Sequence, residues 1–184
     1  MKKTFILLLG ITTLWSGLSA GQKYHVSLAA CLQQPADPGY QDIYGHSVFL
    51  PELKAGFAFS QRLYIWAGLG RLAAEGETAE LGLVAKSTQS FLVVGAGHTG
   101  SISEKIGFKA ELGLADVLYR EEALGETVSG SALGVTVAGG LTYALGHRFF
   151  LLAEVGYLYA KKTIDGVAVK FGGLKAGLGA GLRF

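Results

Sequence analysis

From Gly173 to the end of the chain the residues alternate without a break. Leu174, Ala176, Leu178, Ala180, Leu182 and Phe184 fall on one side, and Gly173, Lys175, Gly177, Gly179, Gly181 and Arg183 on the other. Period two is strand geometry, so this segment has one apolar face and one face of glycine and isolated charge. The division recurs upstream. Ile106, Phe108, Ala110, Leu112 and Leu114 alternate with Gly107, Lys109, Glu111 and Gly113, and Leu133, Val135, Val137 and Leu141 oppose Gly134, Thr136, Ala138, Gly140 and Thr142. Phe149, Leu151, Ala153, Val155 and Tyr157 oppose Glu154 and Gly156.

Eight such segments can be read, at roughly 24–33, 49–59, 63–72, 86–98, 105–119, 130–145, 148–160 and 170–184. The first and third alternate more loosely, and the phase of the fourth, around Phe91 to Gly97, does not follow from the pattern. Connections alternate in length. Ser60-Gln61-Arg62, Gly100 to Glu104 and Gly146-His147 are short, whereas roughly 34–48, 73–85, 120–129 and 161–169 are longer and polar. The expected fold is all-β, a closed antiparallel up-and-down transmembrane barrel of about eight strands.

The N-terminus agrees with export. Lys2 and Lys3 precede the apolar run Phe5 to Leu18, and Ser19-Ala20 offers small residues for cleavage, so residues 1–20 read as a cleaved signal peptide and 21–184 as one barrel domain. No lipobox cysteine follows. Removing Lys2 and Lys3 from the 16 basic residues leaves 14 against 14 acidic ones, a balance that gives no reason to expect a nucleic-acid partner. The one cysteine, Cys31, excludes an intramolecular disulfide and reads as a small space-filling residue. Beyond the signal no apolar stretch approaches the roughly 18–20 residues of a membrane helix, so any crossing must be made by strands.

A soluble lipocalin-like barrel would show the same alternation with its apolar face inward. Its outward face would then need many long charged side chains, whereas here the second face is mostly Gly, Ala, Ser and Thr. Such a face suits a narrow lumen, and the bulky aliphatic face then meets lipid. Mid-strand charges are expected on the inner face throughout. Aromatic residues near strand ends, Phe57, Phe59 and Tyr64 at the short-turn rim and Tyr119, Tyr157 and Tyr159 at the long-loop rim, read as interfacial girdles.

The stretch Arg148-Phe-Phe-Leu-Leu-Ala-Glu-Val-Gly-Tyr157 and the closing run Gly172 to Phe184 resemble the small outer-membrane β-barrel proteins, the OmpA/OmpX/OmpW-like group. The resemblance covers the mature chain in layout and its last third in sequence. It implies an outer-membrane location and an assembly signal at Leu178, Leu182 and Phe184, read by the barrel-assembly machinery during insertion. It also implies outer-membrane lipid and lipopolysaccharide as surroundings. No peptidoglycan-binding domain follows the barrel, so a tethering role is not implied.

Candidate chemistry is sparse. Gly95-Ala-Gly97-His-Thr-Gly100 satisfies G-x-G-x-x-G, but the next segment, Lys105 to Ala115, alternates as a strand instead of opening a helix, so the match is incidental. His25 and Ser27 share a face, as a barrel enzyme acting on lipid A would require, yet they lack a recognisable local motif and sit at the expected periplasmic rim. His25, His46, His98 and His147 lack metal-site spacing. No catalytic residue, metal or cofactor is expected.

The informative set is a group of inner-face charges, Glu52, Lys54, Lys109, Glu111, Glu154 and Lys175, three acidic and three basic. They are expected at neighbouring heights as one neutral lumen network that plugs the barrel, with a gated ion path as the alternative. Arg183 is expected apart, near the exit. The expected role is a non-enzymatic, monomeric envelope or surface scaffold whose long loops mediate adhesion or envelope contacts. The alternatives are a small channel for ions or apolar solutes, and a lipid A-modifying enzyme.

Overall fold

In the computed structural model, residues 23–78, 82–123, 125–164 and 166–184 are described. The expected signal peptide, 1–20, lies outside them. The elements are β1 (Tyr24–Pro35), α1 (Pro38–Tyr44), β2 (Val48–Ala58), β3 (Leu63–Glu77), β4 (Val84–Ser101), β5 (Ile106–Ala123), β6 (Glu126–Ala144), β7 (Phe149–Ile164) and β8 (Val167–Arg183). Each strand pairs antiparallel with the next, and β1 pairs with β8, so the sheet closes as an up-and-down barrel.

Closure brings a fixed stagger. A walk across paired residues from His25 through Gly56, Trp66, Gly95, Gly113, Thr136, Leu158 and Gly173 returns to β1 at Pro35, ten residues above its start. That shear tilts the strands and, with eight of them, leaves an interior that side chains alone can fill.

Leu28, Leu112, Leu114, Leu133, Val155 and Leu178 all lie on the outer wall, and Leu178 is 71% exposed. No helix among the described residues is long and apolar enough to cross a membrane. The wall itself is the apolar surface, and closure leaves no sheet edge to meet hydrocarbon. β4 resolves to Phe91 and Val93 inward and Leu92 and Val94 outward.

Three expectations need correction. First, the stretches 73–85, 120–129 and 161–169 are mostly strand: β3 runs to Glu77, β5 and β6 continue to Ala123 and from Glu126, and β7 and β8 continue to Ile164 and from Val167. Above the membrane, backbone pairing suffices to hold a hairpin and no apolar face is required, so the apolar alternation fades before the strand ends. Gly125 and Gly166 at two tips have φ of +80° and +83°, a region glycine enters without steric cost.

Second, Tyr64 and Tyr119 point into the lumen and are buried, whereas Phe59, Tyr157 and Tyr159 are outward and exposed. The first two cannot serve as girdle residues. Third, two mid-strand charges face outward: the alternation on β3 places Arg71 on the outer wall, and that on β5 places Asp116 there.

The remaining connection carries α1. Asp37 caps it by accepting from the Tyr40 backbone N–H at 3.3 Å, Pro38 opens its first turn, and Gly45 at φ +91° ends it. Asp37 also accepts from the Lys170 N–H of β8 at 3.0 Å, and a Cβ on Gly76 of β3 would overlap the Ile43 carbonyl. The helix therefore spans the mouth from β8 to β3.

A cation placed on the outer wall should cost stability according to depth. Leu178→Lys, at mid-strand on β8, is expected to lose about 2–4 kcal/mol and Leu118→Lys, near the upper rim, about 0–1 kcal/mol. Reversible unfolding in urea from lipid vesicles measures both.

Candidate functional site

The lumen is filled in layers. Its upper half is an apolar core in which Leu50, Leu72, Val117 and Cys31 are fully buried, joined by Phe91 and Phe171, with Tyr119 stacked on Phe171 at 4.7 Å. Below it lie all six charged residues proposed from the sequence, every one inward and buried or nearly so.

Glu154 of β7 is the hub. Its carboxylate accepts from Lys54 Nζ at 2.8 Å and Lys109 Nζ at 2.7 Å, and lies 3.9 Å from Lys175 Nζ. Lys54 and Lys109 also donate to opposite oxygens of Glu111, each at 3.0 Å. Lys175 pairs with Glu52, and Lys54 lies 3.8 Å from that carboxylate. Three carboxylates and three ammonium groups, drawn from β2, β5, β7 and β8, thus form one connected and neutral set.

Two residues not anticipated as site members complete it. Tyr64 donates its hydroxyl to Glu111 at 2.8 Å, and the Trp66 ring lies 5.1 Å from Lys54 Nζ. Their inward phase on β3 was the available signal, but aromatic residues suit a rim and a lumen equally well. Glycine makes the room: a Cβ on Gly140 would sit 3.1 Å from the Glu154 Cβ, and one on Gly156 would sit 3.2 Å from the Lys175 Cε.

Other candidates stay outside this set. The His25 ring stands edge-on to Tyr64 at 5.1 Å, and no hydrogen bond joins it to Ser27. Arg183 lies over the Phe150 ring at 4.7 Å near the lower exit, as expected. Cys31, Glu52 and Glu154 bring possible ligand atoms within 4.8 Å of one another, but both carboxylates are already engaged by lysines, and Cys31 Sγ is directed at Glu52 at 4.0 Å.

The mouth holds a second polar cluster, above the apolar wall. Glu121 of β5 accepts from Ser87 Oγ at 2.5 Å and from Tyr44 Oη of α1 at 2.6 Å, and the Tyr44 ring lies 4.4 Å from that of Tyr40. Burial pushes the Glu121 carboxyl above its ordinary value, outweighing the two donors. Burial likewise pushes the Tyr40 phenol up to about 12, and that of Tyr44 further, so both keep their protons.

The molecule is therefore a closed barrel with a lumen filled by side chains and an apolar outer wall, a build that belongs to outer-membrane proteins. Solved structures agree at the level of fold. Ail, the attachment invasion locus protein of Yersinia pestis, is 20% identical, with 90% of this chain and 100% of that chain covered and a TM-score of 0.58. Neisserial surface protein A is 19% identical, covering 87% and 95%, with a TM-score of 0.60. The N-terminal β-barrel domain of Pseudomonas aeruginosa OprF is 17% identical, covering 90% and 100%, with a TM-score of 0.52. No protein-family model and no curated protein matches the sequence. The chain has the architecture of the small eight-stranded outer-membrane barrels and lies in the outer membrane.

Removing the hub leaves lysines without their shared anion. Glu154→Leu is expected to destabilise the barrel by about 3–5 kcal/mol in denaturant unfolding, more than Glu75→Ala at the exposed Glu75–Lys86 pair, which should lose under about 1 kcal/mol. The lid should respond to pH. Because the closed state raises Glu121 above its ordinary 4.5, closure is fully supported below that pH and loses support as pH climbs through the raised value. A spin label at Asp42→Cys should become more mobile over that rise, and Glu121→Gln, a neutral mimic, should keep it immobile throughout.

Proposed function

We propose that the chain is a non-enzymatic surface scaffold whose extracellular hairpins and α1 make adhesive or envelope contacts. The observation that supports this reading is the filled lumen. From bottom to top, a neutral ion network, an apolar core and α1 over the mouth occupy it, leaving the projecting hairpins as the surface open to partners. Lys54, Lys109 and Lys175, with Glu52, Glu111 and Glu154, then serve as a plug that fixes the strands. The three lysines and three glutamates satisfy one another, so none is held ready for a substrate.

Ail, similar in fold, carries attachment in its name, which fits a role in surface contact. In this reading outer-membrane lipid and lipopolysaccharide surround the wall, and Leu178, Leu182 and Phe184 direct insertion by the barrel-assembly machinery. The channel and lipid A enzyme alternatives lack a comparable observation in their favour.

Planar-bilayer recording and cell adhesion together test the proposal. The refolded barrel should show no steady single-channel steps. Cells displaying it should bind host-matrix surfaces, and shortening the β5–β6 and β7–β8 hairpins to the level of Leu118 and Tyr159 should abolish binding while heat-modifiable mobility is retained. Steady conductance lost in Glu154→Gln or Lys175→Met would instead establish a channel.

A further inference from the structure

Two mid-strand charges, below the charged hairpin ends, escape the lumen, and their placement is related. Arg71 on β3 and Asp116 on β5 both face outward, each four residues below the next outward charge on its own strand, Glu75 and Arg120 respectively. Apolar residues surround Asp116. Leu92 and Leu133 are its direct cross-strand partners, and Leu118 stands above it on the same face.

Among the described residues the Arg71 side chain makes no hydrogen bond or ion pair, and Asp116 Oδ1 is covered without meeting a donor. Both lie near the upper rim, where a charge on the lipid-facing wall costs less than at mid-membrane, and neither has a counter-charge among the described residues.

Their depths coincide. Arg71 pairs with Ser90 of β4, and Ser90 pairs with Leu118 of β5. The ten-residue shear raises each successive partner by a little over one residue, so Leu118 stands between two and three residues higher than Arg71. Stepping down two residues to Asp116 returns to the depth of Arg71. The two charges flank β4 at one level, between the outward Ser90 just above and Leu92 just below.

We infer that this face is a two-fold interface with a second copy of the chain, in which Arg71 of each protomer pairs with Asp116 of the other. Rotation by 180° about a membrane-normal axis passing beside Ser90 exchanges left and right while preserving depth. It therefore sets each arginine opposite an aspartate, twice, as an isologous contact requires. Ser90 and the outward Leu92 both stand on the axis, one just above and one just below the charges. In this arrangement the chain pairs as a dimer, where the sequence alone points to a monomer.

The test uses Ser90→Cys in the full barrel, refolded into phosphatidylcholine vesicles free of lipopolysaccharide. Cys31 is enclosed in the lumen and does not compete. Oxidation should cross-link Ser90→Cys at least tenfold more than Ala176→Cys on the opposite wall. Adding Arg71→Asp or Asp116→Arg singly should remove the excess, since each homodimer would then oppose like charges. Mixing those two variants should restore it, because both contacts become complementary only in the mixed pair.

A charge pair within one chain, or a lipid headgroup bound at this face, predicts no gain on mixing. Absence of that gain overturns the inference, as does Ser90→Cys cross-linking no better than Ala176→Cys. Heat-modifiable mobility verifies folding of each variant. If a reversal fails to fold, Arg71→Gln and Asp116→Asn take its place, each expected to weaken cross-linking with no rescue on mixing. Unchanged cross-linking in either also overturns the inference.

Discussion

Hydrocarbon offers no hydrogen-bond partner, and that single deficit organises the molecule. Every backbone N–H and C=O within the membrane must be paired strand to strand, so the sheet closes, and β1 meets β8 along a ladder from His25–Arg183 to Pro35–Gly173. Closure with eight strands and a ten-residue stagger fixes the width of the interior. Any charge inside that narrow space must be neutralised by another side chain, because little water can enter to do so. The six-membered ion network is thus a consequence of the backbone requirement as much as of the charges themselves.

The contrast between lipid and water also explains why the membrane strands are legible in the sequence while their continuations are not. Inside the bilayer, residues on the two faces meet opposite environments, and β5 to β8 record this as strict alternation. Above it both faces of a hairpin meet water, so Arg120-Glu121-Glu122 and Thr163-Ile164 carry no period-two signal although they pair fully with β6 and β8. Polar composition there resembles a loop. Glycine at position 125 or 166 marks the tip, but many glycines in this chain mark close packing instead, and the two roles look alike in the sequence.

For the site, alternation was sufficient to place the six charges on the inner face and insufficient to say which would meet. Partners depend on register, and the pairing of Glu154 on β7 with Lys54 on β2 bridges a hundred residues. Amphipathic aromatics were the least legible. Tyr64 and Tyr119 satisfy a girdle or a lumen equally well, and only the register shows that Tyr64 meets Glu111. Arg71 and Asp116 stood in plain alternation with Leu69 and Leu114. Carrying the phase of each strand through these positions places both outside.

The division of the lumen into an apolar upper half and an ionic lower half also bears on how the fold is specified. Apolar side chains such as Leu50, Leu72 and Val117 contribute burial, yet they discriminate weakly between one strand register and another, since a two-residue slide keeps the same face inward. Ion pairs are less tolerant. A two-residue slide of β8 past β7 would move Lys175 about 7 Å along the strand, away from Glu52 and Glu154, and leave Lys175 without a partner and Glu52 without its direct one in a closed space. A similar slide of β2 would strip Glu111 and Glu154 of Lys54. Buried ion pairs add little net stability over apolar residues of the same volume, but they penalise misregistered alternatives heavily. In a barrel whose glycine-rich β8 has few bulky inward side chains to set its position, the lower lumen is where such a penalty has the greatest effect.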